Sequence, residues 1–167
     1  MQPGPGQQPT TIEGIMRAGP ILVGVMMMGQ VAFAAMVGSG LVSLGSQPSL
    51  KLGATVLAFF ALVGLGGVVG FFGLGAAWHG AAAKAWAQRS DESDGELRVA
   101  RALFTSTLVR AALLEGPGLL GAVLALLTGE RALLGLTAVC VLLLTLLVRT
   151  RSIFDATMAR LTGRSTF

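Results

Sequence analysis

Charge is what this chain has least of. Twelve Lys and Arg and eight Asp and Glu make up 12% of its 167 residues, about half the share of an ordinary soluble globular domain, which argues against a water-soluble fold. Cysteine is nearly absent too: Cys140 stands alone, which excludes an intrachain disulfide and a cysteine-based zinc site. The single histidine, His79, has no Cys, Asp or second His nearby, so no metal site is expected. The spans contain no pair of acids, no His pair and no nucleophile beside a base, so no catalytic residues and no enzyme are expected. Tyr is missing, Arg outnumbers Lys ten to two, and Ala, Gly and Leu abound. That composition suggests a GC-rich bacterial genome.

What the chain has is long uncharged runs. There is no formal charge from Ala18 to Leu50, and none from Leu52 to Ala83 apart from His79. Each run exceeds the roughly 20 residues that cross a hydrocarbon core of about 30 Å. Two more apolar stretches follow, Ala111 to Gly129, broken only by Glu115, and Ala132 to Val148. The fold class expected is all-α: a polytopic membrane protein with four transmembrane helices in a bundle. Its spans are expected at about 20–44, 52–78, 103–128 and 132–148. The last is short, but Arg131 and Arg149 can snorkel to the interfaces.

The parts between the spans are read from composition. Residues 1–11 begin MQPGPGQQ and are expected to be a disordered tail. Thr10 or Thr11 caps a short helical lead-in ending at Gly19-Pro20, and Pro20 starts span one. A turn at 45–51 contains Pro48. Residues 79–102 carry four basic and four acidic side chains and are expected as a water-exposed loop. In the tail, 149–167, Ile153, Phe154, Met158 and Leu161 share one helical face, which suits an interfacial helix or docking on the bundle.

Orientation follows from the basic residues. Ten of the twelve lie in the N-terminal lead-in, in the segment running to Arg110, and in the tail, leaving Lys51 and Arg131 in the two short turns. Positive residues stay inside, so both termini and the long loop are expected to be cytoplasmic, in a bacterial inner membrane. No basic face stands apart from the spans, so the lipid bilayer is the expected partner and nucleic acid is not.

Glu115 is the only acid within a span and the first candidate for function, because a carboxylate there must be protonated, paired or turned to a polar cavity. Counting back from Gly129 at 1.5 Å per residue puts it about 21 Å in, nearer the cytoplasmic side. Its helical neighbours include Ala111, Gly118 and Ala122, small side chains that let another helix approach. Arg110 lies about 140° round the helix from it and is expected to snorkel. Pro117, between Gly116 and Gly118, removes a backbone hydrogen bond and crowds the carbonyl of Leu113, so a kink is expected there. Gly66, Gly70, Gly73 and Ala77 share a face of span two and make a candidate packing seam, also suited to packing against other copies. Trp78 and Trp86 are expected as interface anchors. Gln30 is expected to bond a neighbouring helix.

From Gly64 to Leu127 these parts fall in the order of a known hairpin. A Gly-rich helix, a polar loop at Gln88-Arg89-Ser90-Asp91, and a helix bearing Leu114-Glu115-Gly116-Pro117 together resemble the c-subunit proteolipid of ATP synthase. The loop here lacks that family's Arg-Gln-Pro, and two further spans flank the hairpin. The resemblance implies a bound proton or sodium ion at Glu115 and a homo-oligomeric ring; no other cofactor is expected. The chain also looks like small uncharacterised bacterial four-span proteins. From the residues alone, a non-enzymatic packing subunit of an oligomeric membrane assembly leads, the ion-translocating proteolipid comes second, and a small-solute transporter third.

Overall fold

The structure, a computed structural model, describes residues 11–42 and 53–163, with the backbone alone at 54–57 and 150. The tail 1–10, the turn 45–51 and the last four residues lie outside that range. Among the described residues there are five α-helices and one 3-10 turn, and no strand.

Thr11 starts α1, Ile12–Gly38, its hydroxyl oxygen accepting from the N–H of Gly14 at 3.2 Å. The helix does not break at Gly19-Pro20 as expected but runs through Pro20. Ile15 and Met16 before the proline and Val23 after it are all buried, in two successive core clusters. Packing on both sides outweighs the loss of one hydrogen bond. The helix ends at Gly38, short of the expected Leu44, with Ser39 N–H donating to the Ala35 carbonyl at 2.9 Å.

The two central helices, α2, Ala54–Ala87, and α3, Glu92–Thr128, have 34 and 37 residues, or about 51 and 56 Å of length, well beyond a 30 Å hydrocarbon core. Most of the segment expected as a loop, 79–102, is therefore helix, and only Gln88–Asp91 is not. The local reasons are visible. Ala81, Ala82, Ala83 and Ala85 are the strongest helix formers and prolong α2. Asp91 caps α3 by accepting from the N–H of Asp94 at 2.7 Å, while Asp94 accepts from the N–H of Ser90 at 3.1 Å and pairs with Arg98 at 2.7 Å. Two carboxylates thus sit at the positive end of the helix dipole.

At its other end α3 stops at Gly129, whose φ of +73° suits glycine. A 3-10 turn, Arg131–Leu133, leads into α4, Leu134–Leu147, followed by α5, Thr150–Thr162. The axes of 131–147 and 151–162 meet at 50°. Phe154 and Met158 of α5 are buried, and Ile153 and Leu161 pack beside them, so the tail helix docks on the bundle.

Three helices, α1, α2 and α3, are long and apolar enough to cross a membrane, and the bent α4/α5 pair raises the number to four if it counts as one span. The centre of the bundle is α3: half of its apolar window is buried, against 22% for α2 and 11% for α1. One core, with Met16, Trp78, Leu103 and Phe154, joins α1, α2, α3 and α5; the other, with Val23, Phe71, Leu114 and Leu144, joins α1 to α4. The outside is apolar as well. Ile21, Val25 and Met28 of α1, Leu62, Leu65 and Val69 of α2, and Leu142 of α4 are all exposed, a coat on the scale that marks membrane contact.

Candidate functional site

Polar groups and close backbone approaches gather at one level of α3. Pro117 has no N–H, so the carbonyl of Leu113 loses its helical donor. It faces Gly67 of α2, where a Cβ would stand 2.8 Å from the Leu113 oxygen and 2.9 Å from Pro117 Cγ. No other residue would allow α2 so near. One residue further along α3, Gly118 receives Gln30 of α1: a Cβ there would lie 2.5 Å from Gln30 Oε1. Gln30 is 1% exposed, and its Nε2 donates to the Leu114 carbonyl at 3.4 Å, the long end of hydrogen bonding. Its Oε1 has no partner among the described residues. From α4, the Thr137 hydroxyl donates to the Gly118 carbonyl at 2.7 Å. Gly121 admits that helix, since a Cβ there would be 3.0 Å from both the Leu133 carbonyl and Thr137 Oγ1. Three helices thus converge on the backbone of α3 around its proline, which lies within a helix continuous from Glu92 to Thr128.

Glu115 stands at the margin of this junction. Ala111, Gly118 and Ala122 are buried as its small-residue neighbours, but Glu115 itself is half-buried and Ala112 and Gly116 are exposed. It makes no hydrogen bond or ion pair among the described residues. Gly116 meets nothing within 4 Å. Among the described residues, then, the carboxylate is neither enclosed by a neighbouring helix nor partnered.

Arg110 was expected to snorkel, and instead reaches across to α2. Its Nε donates to the Phe71 carbonyl at 3.0 Å, and its guanidinium carbon lies 4.1 Å from the centre of the Phe71 ring. Gly75 makes the space, because a Cβ there would be 3.0 Å from Arg110 Nη2. A carbonyl and an aromatic face together hold the half-buried cation against α2. It does not meet Glu115.

The expected seam on α2 also lies differently. Gly66 and Gly73 meet nothing within 4 Å, Ala77 is exposed, and only Gly70 has a neighbour, Leu113 Cδ1 at 3.1 Å. Contact within the chain runs through Gly64, Gly67, Phe71, Gly75, Trp78 and Ala82, about a third of a turn round the helix. The reason is specific fit: Gly67 and Gly75 each receive a named group of α3, whereas Gly66 and Gly73 have none opposite them.

The tryptophans, expected as interface anchors, turn inward. Trp78 is 4% exposed in the core beside Leu103 and Phe154. Trp86 is half-buried against Gly95, with the Arg89 guanidinium 4.3 Å over its ring. Because α2 and α3 continue past the apolar stretch, these rings fall between helices and pack there. His79 is exposed, and no cluster of three His, Cys, Asp or Glu exists among the described residues.

Gln30 does bond a neighbouring helix. Gly67 and Thr137 were not singled out by sequence; the available signal was a hydroxyl in an apolar span, one of two in span four with Thr145, facing the glycines of the preceding one, which Thr137 and Gly118 carry. Set beside protein-family models, curated proteins and solved structures, the chain has no significant match.

Proposed function

We propose that this chain is a four-crossing membrane protein with both ends cytoplasmic, a helix-packing subunit of an oligomeric assembly in a bacterial inner membrane, and not an enzyme. The observation that carries this reading is an open face of small residues. Gly66, Gly73 and Ala77 of α2 and Ala112 and Gly116 of α3 are exposed, while the glycines beside them are consumed by contacts within the chain. In lipid, small residues at a helix surface permit close backbone approach by another helix, and none of the described residues takes up that approach. Four crossings agree with the positive-inside distribution of the basic residues.

The test is the size of the particle in mild detergent. Gly73→Leu is expected to reduce an oligomer to smaller species with helical content intact, while Gly29→Leu on α1, equally open to its surroundings, leaves it unchanged. Equal behaviour of the two variants contradicts the reading.

A second reading is favoured by one observation, that Glu115 is half-buried and has no partner among the described residues. Paired with a neighbouring copy across the open face, Glu115 would serve as a proton or sodium carrier, as the resemblance to the c-subunit proteolipid implies. Glu115→Gln separates the two: intact assembly with lost ion flux supports translocation, and intact assembly in a chain that carries no flux to begin with removes it. The transporter reading has no observation of its own behind it.

A further inference from the structure

Beyond the packing face, α2, α3 and α5 line an open cleft of about 530 Å³ beside Trp78 and His79, at the cytoplasmic end of the spans in the orientation proposed above. Arg110, Arg160, His79 and Ser152 are among its polar lining residues, and Phe72 and Ile153 among its apolar ones. No carboxylate lines it. We propose that this cleft binds the phosphate of an anionic membrane phospholipid.

Three features point to that ligand. First, the cations have donors to spare. Arg110 uses its Nε on the Phe71 carbonyl, and neither its Nη groups nor Arg160 has a hydrogen-bond or ion-pair partner among the described residues. A guanidinium presents paired N–H donors that match two oxygens of a phosphate. Second, Ser152 of α5 lines the same space and adds a hydroxyl donor to those of the two guanidinium groups. Third, the cleft is mixed along its length. Phe72 and His79 both line it from one face of α2, seven residues or about 10 Å apart, and Phe72 is exposed at the level of Arg110's contact with Phe71, so the α2 wall passes from the apolar coat to an imidazole. A soluble phosphate has no use for the apolar end; a phosphodiester on acyl chains uses both. Two arginines without an acid select against a zwitterionic headgroup, whose own cation they repel.

The inference rests on the membrane reading of α1 to α4, and carbonate extraction tests that separately: a chain released by carbonate fails the reading, and one retained but without lipid fails only this inference. The direct experiment is native mass spectrometry of the full chain in detergent, titrated with phosphatidylglycerol, phosphatidylcholine or inorganic phosphate. The expected result is retention of phosphatidylglycerol over phosphatidylcholine, no displacement by inorganic phosphate, and a loss of about tenfold in retention for Arg160→Gln, an exposed position with little to disturb in the fold. Should that variant alter the particle, Ser152→Asp, which sets a carboxylate in the cleft, is expected to give the same loss. Equal retention of both lipids, wild-type retention in the variants, or displacement by inorganic phosphate overturns the proposal.

Discussion

At the scale of single residues, the glycines of α2 divide sharply by what stands opposite them. At Gly67 a methyl group would press on the Leu113 carbonyl and the Pro117 ring, and neither backbone nor a proline ring can swing aside. Gly67→Ala is expected to destabilise the fold by about 1–3 kcal/mol, the usual cost of overpacking. Gly73→Ala, with open space around it, is expected to leave the isolated chain as stable as before or slightly more so, since alanine is the better helix former. Thermal unfolding in detergent, followed by helical signal, compares them, and equal midpoints would refute the assignment of Gly67 as the point of contact. Sequence spacing alone could not make this distinction: Gly66 and Gly67 lie in the same glycine-rich run, and only the partner helix decides which is used. Gln30 was more legible, because a lone amide in an apolar span needs a partner, and the Leu114 carbonyl supplies one.

At the scale of elements, hydropathy located the helices but misplaced their ends. Counting charges made 79–102 a loop. The capping exchange among Ser90, Asp91 and Asp94, and the alternation that buries Ala82, Val99, Ala100 and Leu103, make it two helical extensions joined at Gln88–Asp91. Pro20 misled in the opposite direction: a residue that ends helices in water is carried through α1 by the cores on either side of it. Hydrogen exchange tests the extensions. Amides at 80–86 and 96–102 are expected to be protected, with rapid exchange confined to the neighbourhood of 88–91. Rapid exchange throughout 79–102 would restore the loop.

At the scale of the whole molecule, one central helix serves as the frame. α3 takes a backbone contact from α2 at Gly67, an amide from α1 at Gln30 and a hydroxyl from α4 at Thr137, all within two turns around Pro117. That arrangement fills the inner side of α3 and leaves the outer side of the α2/α3 pair uncovered among the described residues, with Glu115 at the margin of the filled side. The presence of helices long and apolar enough to span a membrane was readable from uncharged runs. The direction of the open face was not, because it depends on which glycines the chain itself consumes.

The most direct measurement of the central claim is cysteine cross-linking in native membranes, with Cys140→Ala removing the one natural thiol. Gly73→Cys in that background is expected to form a covalent dimer on mild oxidation, and Gly29→Cys on the outer side of α1 is not. A chain that remains monomeric at Gly73, or cross-links equally well from Gly29, contradicts the account.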